Sequence, residues 1–259
     1  VMDGQIQRVP VDGDKGGEKS GAYSGHMEGR TPGGYIQNFK TGEVVNWKPA
    51  GPVASLTPTE AARLELAARA AREKSAGEQK EKHENAAAAA AALWADSRAA
   101  GPDNPYLQAK GIAAAAGLRV VPETVRDGVA IMGIRIAATT AEAKAMREAE
   151  PEARVFKTGD LLIPGRDADG KLWTLQTVNP AFKGFIKGGR KAGVMTIAGD
   201  DPEKPLSEIF QDPSRPLVLA EGYATAETVA RLTGQPVVVA FDSGNLDAVA
   251  RELRERFPG

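Results

Sequence analysis

The chain has 259 residues, 33 of them Lys or Arg against 34 Asp or Glu, for a formal net charge of −1. That balance gives no global sign of a polyanion binder and leaves only a local basic patch for such a role. The lack of cysteine excludes disulfides and thiolate zinc sites and suits a reducing cytoplasm.

The length suffices for one large domain or two modest ones with real cores. No apolar run reaches the roughly 18–20 residues that cross a bilayer. The opening Val1-Met2-Asp3-Gly4 has neither the basic nor the apolar region of a signal peptide. A cytoplasmic chain with no membrane partner is expected, and its abrupt ends read as those of an excised piece.

Residues 1–50 are Gly-rich and read as a small β-rich region. Residues 7–11 suggest a strand, and 35–39 with 44–47 suggest a hairpin turning at Thr41-Gly42. Tyr23, Tyr35, Phe39 and Trp47 are dense here. They form either a mini-core for the sheet or a stacking surface for single-stranded bases. His26, in an expected loop with no Cys or second His nearby, and His83, in a charged run, give no metal site.

Residues 51–101 read as a helical linker. Thr57-Pro58-Thr59-Glu60 carries a capping hydroxyl, Pro at the first helical position and an early acid. Gly77 is a candidate interruption, and 86–92 is unbroken alanine, the strongest helix former. The mixed charges and alanines suggest a connector ending at Gly101-Pro102.

Residues 102–205 read as an α+β domain with a basic segment. A short helix is expected over 104–112, α+β structure around 118–121 and 129–136, and a helix over 141–150. A buried strand over 160–164 turns at Asp167-Ala168-Asp169-Gly170 and returns over 171–178. Lys183-Gly184-Phe185-Ile186-Lys187-Gly188-Gly189-Arg190-Lys191 then concentrates positive charge without acids. Phosphates suit it, because Lys and Arg neutralise them and open glycine amides can donate to them; a solvated basic hairpin is the plainer reading.

Residues 206–259 read as strand–helix–strand–helix, with strands over 216–220 and 236–241 and a second helix over 246–257. Buried strands in that order imply parallel βα units, whose chemistry lies at the strands' carboxyl ends. Glu221 and Asp242 fall there. A carboxylate at such a point is costly to desolvate without a partner, while the plain alternative is that Glu221 caps its helix.

Leu219-Ala220-Glu221-Gly222-Tyr223-Ala224-Thr225-Ala226 resembles the first motif of the Toprim (topoisomerase–primase) superfamily, a hydrophobic strand, Glu-Gly and a helix. Residues 239–246 are similar to the second strand and loop of its primases, and 161–193 to the part that precedes this fold in bacterial-type primases. Residues 16–23 and 35–43 look like the front of conjugation-associated primases of plasmids and phages.

The resemblance implies an α+β chain ending in a partial α/β Toprim fold. It implies a DNA primase making short RNA primers on single-stranded DNA from ribonucleoside triphosphates, by nucleotidyl transfer dependent on Mg²⁺ or Mn²⁺. It gives Glu221 a catalytic general acid/base or metal-assisting role, Lys183, Lys187, Arg190, Lys191 and Arg166 contacts to template or nucleotide, and a helicase or relaxase as a further partner. The Asp-x-Asp motif that holds the metals is expected beyond residue 259, with Asp242 a nearby carboxylate; Asp167-Ala168-Asp169 has the spelling but lies upstream in a turn. A fragment with Glu221 alone is therefore expected to be inactive. A Toprim nuclease or topoisomerase fragment, and a nucleic-acid-binding module without catalysis, stay open.

Overall fold

The structure, a computed structural model, describes residues 4–26, 32–48, 57–112, 116–212 and 214–258. The first residues of the chain and the front of the expected linker, 51–56, lie outside them. The chain is α+β and divides into two compact units, 1–77 and 78–259.

The first unit holds β1 (Gln7–Val9), β2 (Gly21–His26), β3 (Gly33–Asn38) and β4 (Val44–Trp47), an antiparallel sheet in that order. The hairpin expected around Thr41-Gly42 is present. The Asn38 side chain accepts from the Lys40 and Thr41 amides, an Asx arrangement that seeds the turn. β1 stops before Pro10, which has no amide to donate, and β2 is a strand the sequence reading missed. His26 ends β2 rather than lying in a loop. Between β1 and β2, Asp14 accepts from the Val11 and Ser20 amides and pairs with Lys40 at 2.8 Å. The expected aromatic mini-core does not form. Phe39 and Trp47 are exposed and Tyr23 and Tyr35 half-buried, since four short strands provide only one layer.

Helix α1 (Pro58–Asp96) begins in a capping box. The Glu60 carboxylate accepts from the Thr57 amide at 2.9 Å and Thr57 Oγ1 from the Glu60 amide at 3.3 Å. It runs unbroken through Gly77 and stops at Asp96, short of Gly101. The connector reading fails for its second half. Ala89, Ala90, Leu93 and Trp94 are buried against Leu162, Leu172, Leu175 and Ile186 in the second unit. Alanines let the helix backbone approach the sheet closely, so here they are core.

The second unit continues with β5 (Arg98–Ala99), α2 (Pro105–Ala109), β6 (Arg119–Val120), α3 (Asp127–Ala130), β7 (Ile134–Ala137), α4 (Thr140–Ala149) and β8 (Arg154–Lys157). Then come β9 (Leu161–Arg166), β10 (Leu172–Asn179), β11 (Phe182–Phe185), β12 (Thr196–Ala198), α5 (Leu206–Ile209), β13 (Val218–Ala220), α6 (Tyr223–Thr233), β14 (Val237–Val239) and α7 (Ser243–Arg256). Asn104 caps α2 and Thr139 caps α4 through side-chain oxygens.

The sheets are β11-β10-β9-β6-β5, antiparallel; β7-β8, parallel across α4; and β12-β14-β13, with β13 and β14 parallel as the sequence predicts. One hydrophobic cluster joins Leu107, Leu161 and Ile163 to Tyr223, Val237 and Phe241. It seats the mixed β12-β14-β13 sheet on the antiparallel one. The turn at 167–170 forms as expected, with the Asp167 carboxylate accepting from the Asp169 and Lys171 amides and from Trp173 Nε1.

Candidate active site

Val218 lies opposite Val237 and Ala220 opposite Val239. The ladder continues past the strand ends, where the Ala240 amide donates to the Ala220 carbonyl at 2.9 Å. Both carboxyl ends therefore coincide, and Glu221 and Asp242 leave the sheet at one margin, the place where parallel α/β sheets hold ligands. Glu221 does not cap α6. The cap is Gly222, which has no side chain to do so. Glu221 is exposed, with no hydrogen bond or ion pair among the described residues, so the expected desolvation cost does not arise.

Asp242 has a different task. It is the N-cap of α7 and accepts from the Asn245 amide at 3.1 Å. Phe241, just before it, has φ 72°, strained for a bulky residue. Burial and an edge contact with Phe185, centroids 5.4 Å apart, hold it there.

Asn245, which the sequence reading passed over, is buried and fastens this margin to the residues just after the basic segment. Its Oδ1 accepts from the Gly193 amide at 2.8 Å, and its Nδ2 donates to the Val194 and Ala240 carbonyls at 2.8 and 2.9 Å. The available signal was an Asn three residues after a strand-ending Asp, beside a glycine.

Among the described residues no group of three His, Asp or Glu is placed to hold a metal ion. With Glu221 alone free and Asp242 engaged as a cap, the residues present do not fit a two-metal centre.

The basic residues divide into three settings. Arg190 donates to the Ala192 carbonyl at 2.8 Å and lies 4.9 Å from the Trp173 ring centre, which also has Lys171 Nζ at 3.8 Å. Lys191 is exposed 4.7 Å from the Phe185 ring, and Phe185 touches Phe241, so contacts run from this end of the segment to the end of β14. Lys183, exposed on β11, and Lys187 lie elsewhere. Lys187 pairs with Glu152 at 2.9 Å and lines a cleft with Arg147, Arg154 and Lys157.

Arg166 is bound by Glu203 at 3.1 Å and donates to the Gly170 carbonyl. Glu203 also accepts from Trp94 Nε1 at 2.6 Å and meets Arg119 at 3.5 Å. Burial pushes the Arg166 guanidinium down, and the charge of Glu203 opposes it. A phosphate there would have to displace a carboxylate that already ties three side chains together.

Gly189 of the segment and Gly193 just after it do not offer free amides. Gly193 donates to Asn245 and Gly189 to the Ile186 carbonyl at 3.1 Å. A Cβ on Gly189 would stand 2.3 Å from Thr174 Oγ1, so close packing on β10 requires this glycine.

No family model and no solved structure matches the chain. Two curated proteins of Escherichia coli, both described as DNA primase TraC, are 36% identical to it over 262 and 259 aligned residues. Each alignment takes in all of this chain, which spans 20% of the length of one relative and 15% of the other. From end to end, the chain is similar to a segment of a DNA primase.

Proposed function

We propose that this chain is part of a DNA primase that synthesises short RNA primers on single-stranded DNA from ribonucleoside triphosphates. The observation that carries the reading is the Ala240–Ala220 hydrogen bond beside an exposed, unpartnered Glu221. It fits the first half of a Toprim sheet, with the carboxylate in the family's position. Glu221 then serves as a general acid/base or assists a divalent metal, Mg²⁺ or Mn²⁺. The other carboxylates of such a centre would come from segments of the parent protein outside these residues. Lys191 and Arg190, linked to the same margin through Phe185 and Asn245, are the basic groups best placed to hold template or nucleotide near it.

The test is Glu221→Gln in the full-length parent, assayed for primer synthesis on single-stranded DNA with ribonucleotides and Mg²⁺. Synthesis should fall by at least about a hundredfold, the usual worth of a general acid/base, with DNA binding unchanged. Unaltered synthesis would overturn the assignment. A binding module without catalysis is the second reading, favoured by the engagement of Asp242 as a cap; for it, the variant changes neither synthesis nor binding.

A further inference from the structure

A second feature of the unit 78–259 is formed by side chains that do not include Glu221 or Asp242. Between β8, the end of α4 and β11 is a cleft of about 220 Å³, lined by four cations, Arg147, Arg154, Lys157 and Lys187, and one acid, Asp160, with Phe156, Phe182 and Phe185. The acid is already neutralised: Lys157 pairs with it at 2.7 Å and Asn179 donates to it at 2.9 Å.

The two arginines have no carboxylate partner among the described residues. Arg147 donates only to the Val155 carbonyl, through Nη2, at 3.2 Å. Arg154 donates to the Met132 carbonyl through Nη1 and to the Lys187 carbonyl through Nε, leaving Nη2 without a bond. Guanidinium groups held by backbone oxygens are fixed in direction and keep their charge available. Lys187 pairs with Glu152, whose side chain is 92% exposed; such a surface pair is weak and an incoming phosphate can exchange it.

The aromatic partner is equally open. Phe182 is 46% exposed. Its ring lies across Gly184, where a Cβ would stand 2.5 Å from Cζ, and the Arg147 guanidinium lies 5.6 Å from the ring centre. One side of the ring is thus supported by glycine backbone, and about half of the side chain is open to water beside the Arg147 guanidinium.

We propose that this cleft seats single-stranded DNA, one base lying on the Phe182 ring and the adjoining phosphates paired with Arg147 and Arg154. Cations with a stacking ring are the general means of binding a single strand without reading its sequence. The volume is below the roughly 300–1,000 Å³ of small-molecule sites, which favours one unit of a passing strand over a whole nucleoside triphosphate. The proposal takes the polymer's identity from the priming reading; the residues carry the rest.

The experiment is fluorescence anisotropy of a short labelled oligothymidylate with the 259-residue chain, titrated at several salt concentrations. Phe182→Ala should weaken binding roughly tenfold. Arg147→Ala and Arg154→Ala should each lower the slope of log affinity on log salt by about 0.7. Because Arg154 also anchors two carbonyls, an independent measurement uses the unaltered chain: a bromodeoxyuridine oligonucleotide crosslinked by ultraviolet light should attach within 182–186.

Affinity and slope unchanged in all three variants, crosslinks confined to other segments, or no binding by the unaltered chain would each overturn the cleft assignment. So would binding of a labelled ribonucleoside triphosphate that Phe182→Ala abolishes while oligonucleotide binding persists. None of these touches the priming reading, which stands or falls on Glu221→Gln in the parent protein.

Discussion

Asn245 shows how much one side chain settles here. Its amide satisfies one backbone donor and two backbone acceptors, from Gly193 and Val194 just after the basic segment and from Ala240 just after β14. Asn245→Ala leaves those groups buried without partners, at about 1–3 kcal/mol for such a loss. Asn245→Asp is expected to cost more, because a carboxylate oxygen then faces two carbonyls. Urea unfolding of the two variants measures both, and an aspartate variant as stable as the parent chain would contradict the geometry. Asp242 allows a cleaner separation of roles. Asp242→Ala should lose about 1 kcal/mol with the cap, whereas Asp242→Asn keeps a capping oxygen and should lose little. If priming by the parent survives Asp242→Asn, this carboxylate acts as a cap and not as a ligand or a base.

At the scale of elements, the β1–β2 loop of the first unit is gathered around Asp14. The Lys40 ammonium bound to Asp14, and the Ser20 and Val11 amides, hold its carboxyl well below the usual carboxylate range. A depressed carboxylate stabilises the fold above its unfolded-state value, and that contribution is lost as pH falls through the folded value. The amides of Ser20 and Val11 should therefore keep their hydrogen-exchange protection at neutral and mildly acidic pH and lose it only in strong acid. Asp14→Asn should lower their protection at neutral pH and flatten its dependence on pH; an unchanged profile would show that the loop does not depend on this charge. The long helix makes the complementary point. Its exposed first half obeys propensity and capping, and its alanine-rich second half is placed by what it packs against.

At the scale of the whole molecule, the net charge of −1 conceals cations gathered in one cleft. Binding of oligothymidylate should accordingly fall steeply between roughly 50 and 200 mM salt, as counterion release requires, despite the negative total. Salt-independent binding would point to a surface other than this one.

The sequence alone determined the parallel strand–helix–strand–helix end with Glu221 and Asp242 at its margin, the hairpin at Thr41-Gly42, the turn at 167–170 and the likeness to primases. These depend on neighbours in the chain: alternation, capping and turn chemistry act over a few residues, and an apolar strand followed by a carboxylate is visible in one dimension. Only the tertiary structure decided that Ala86–Ala92 approaches a core, that Arg166 belongs to Glu203, that Gly189 packs on Thr174, and that Arg147 and Arg154 line one cleft with Phe182. Each joins residues far apart in the chain, and whether a cation faces a carboxylate or open water is set by that long-range folding, which no local pattern encodes.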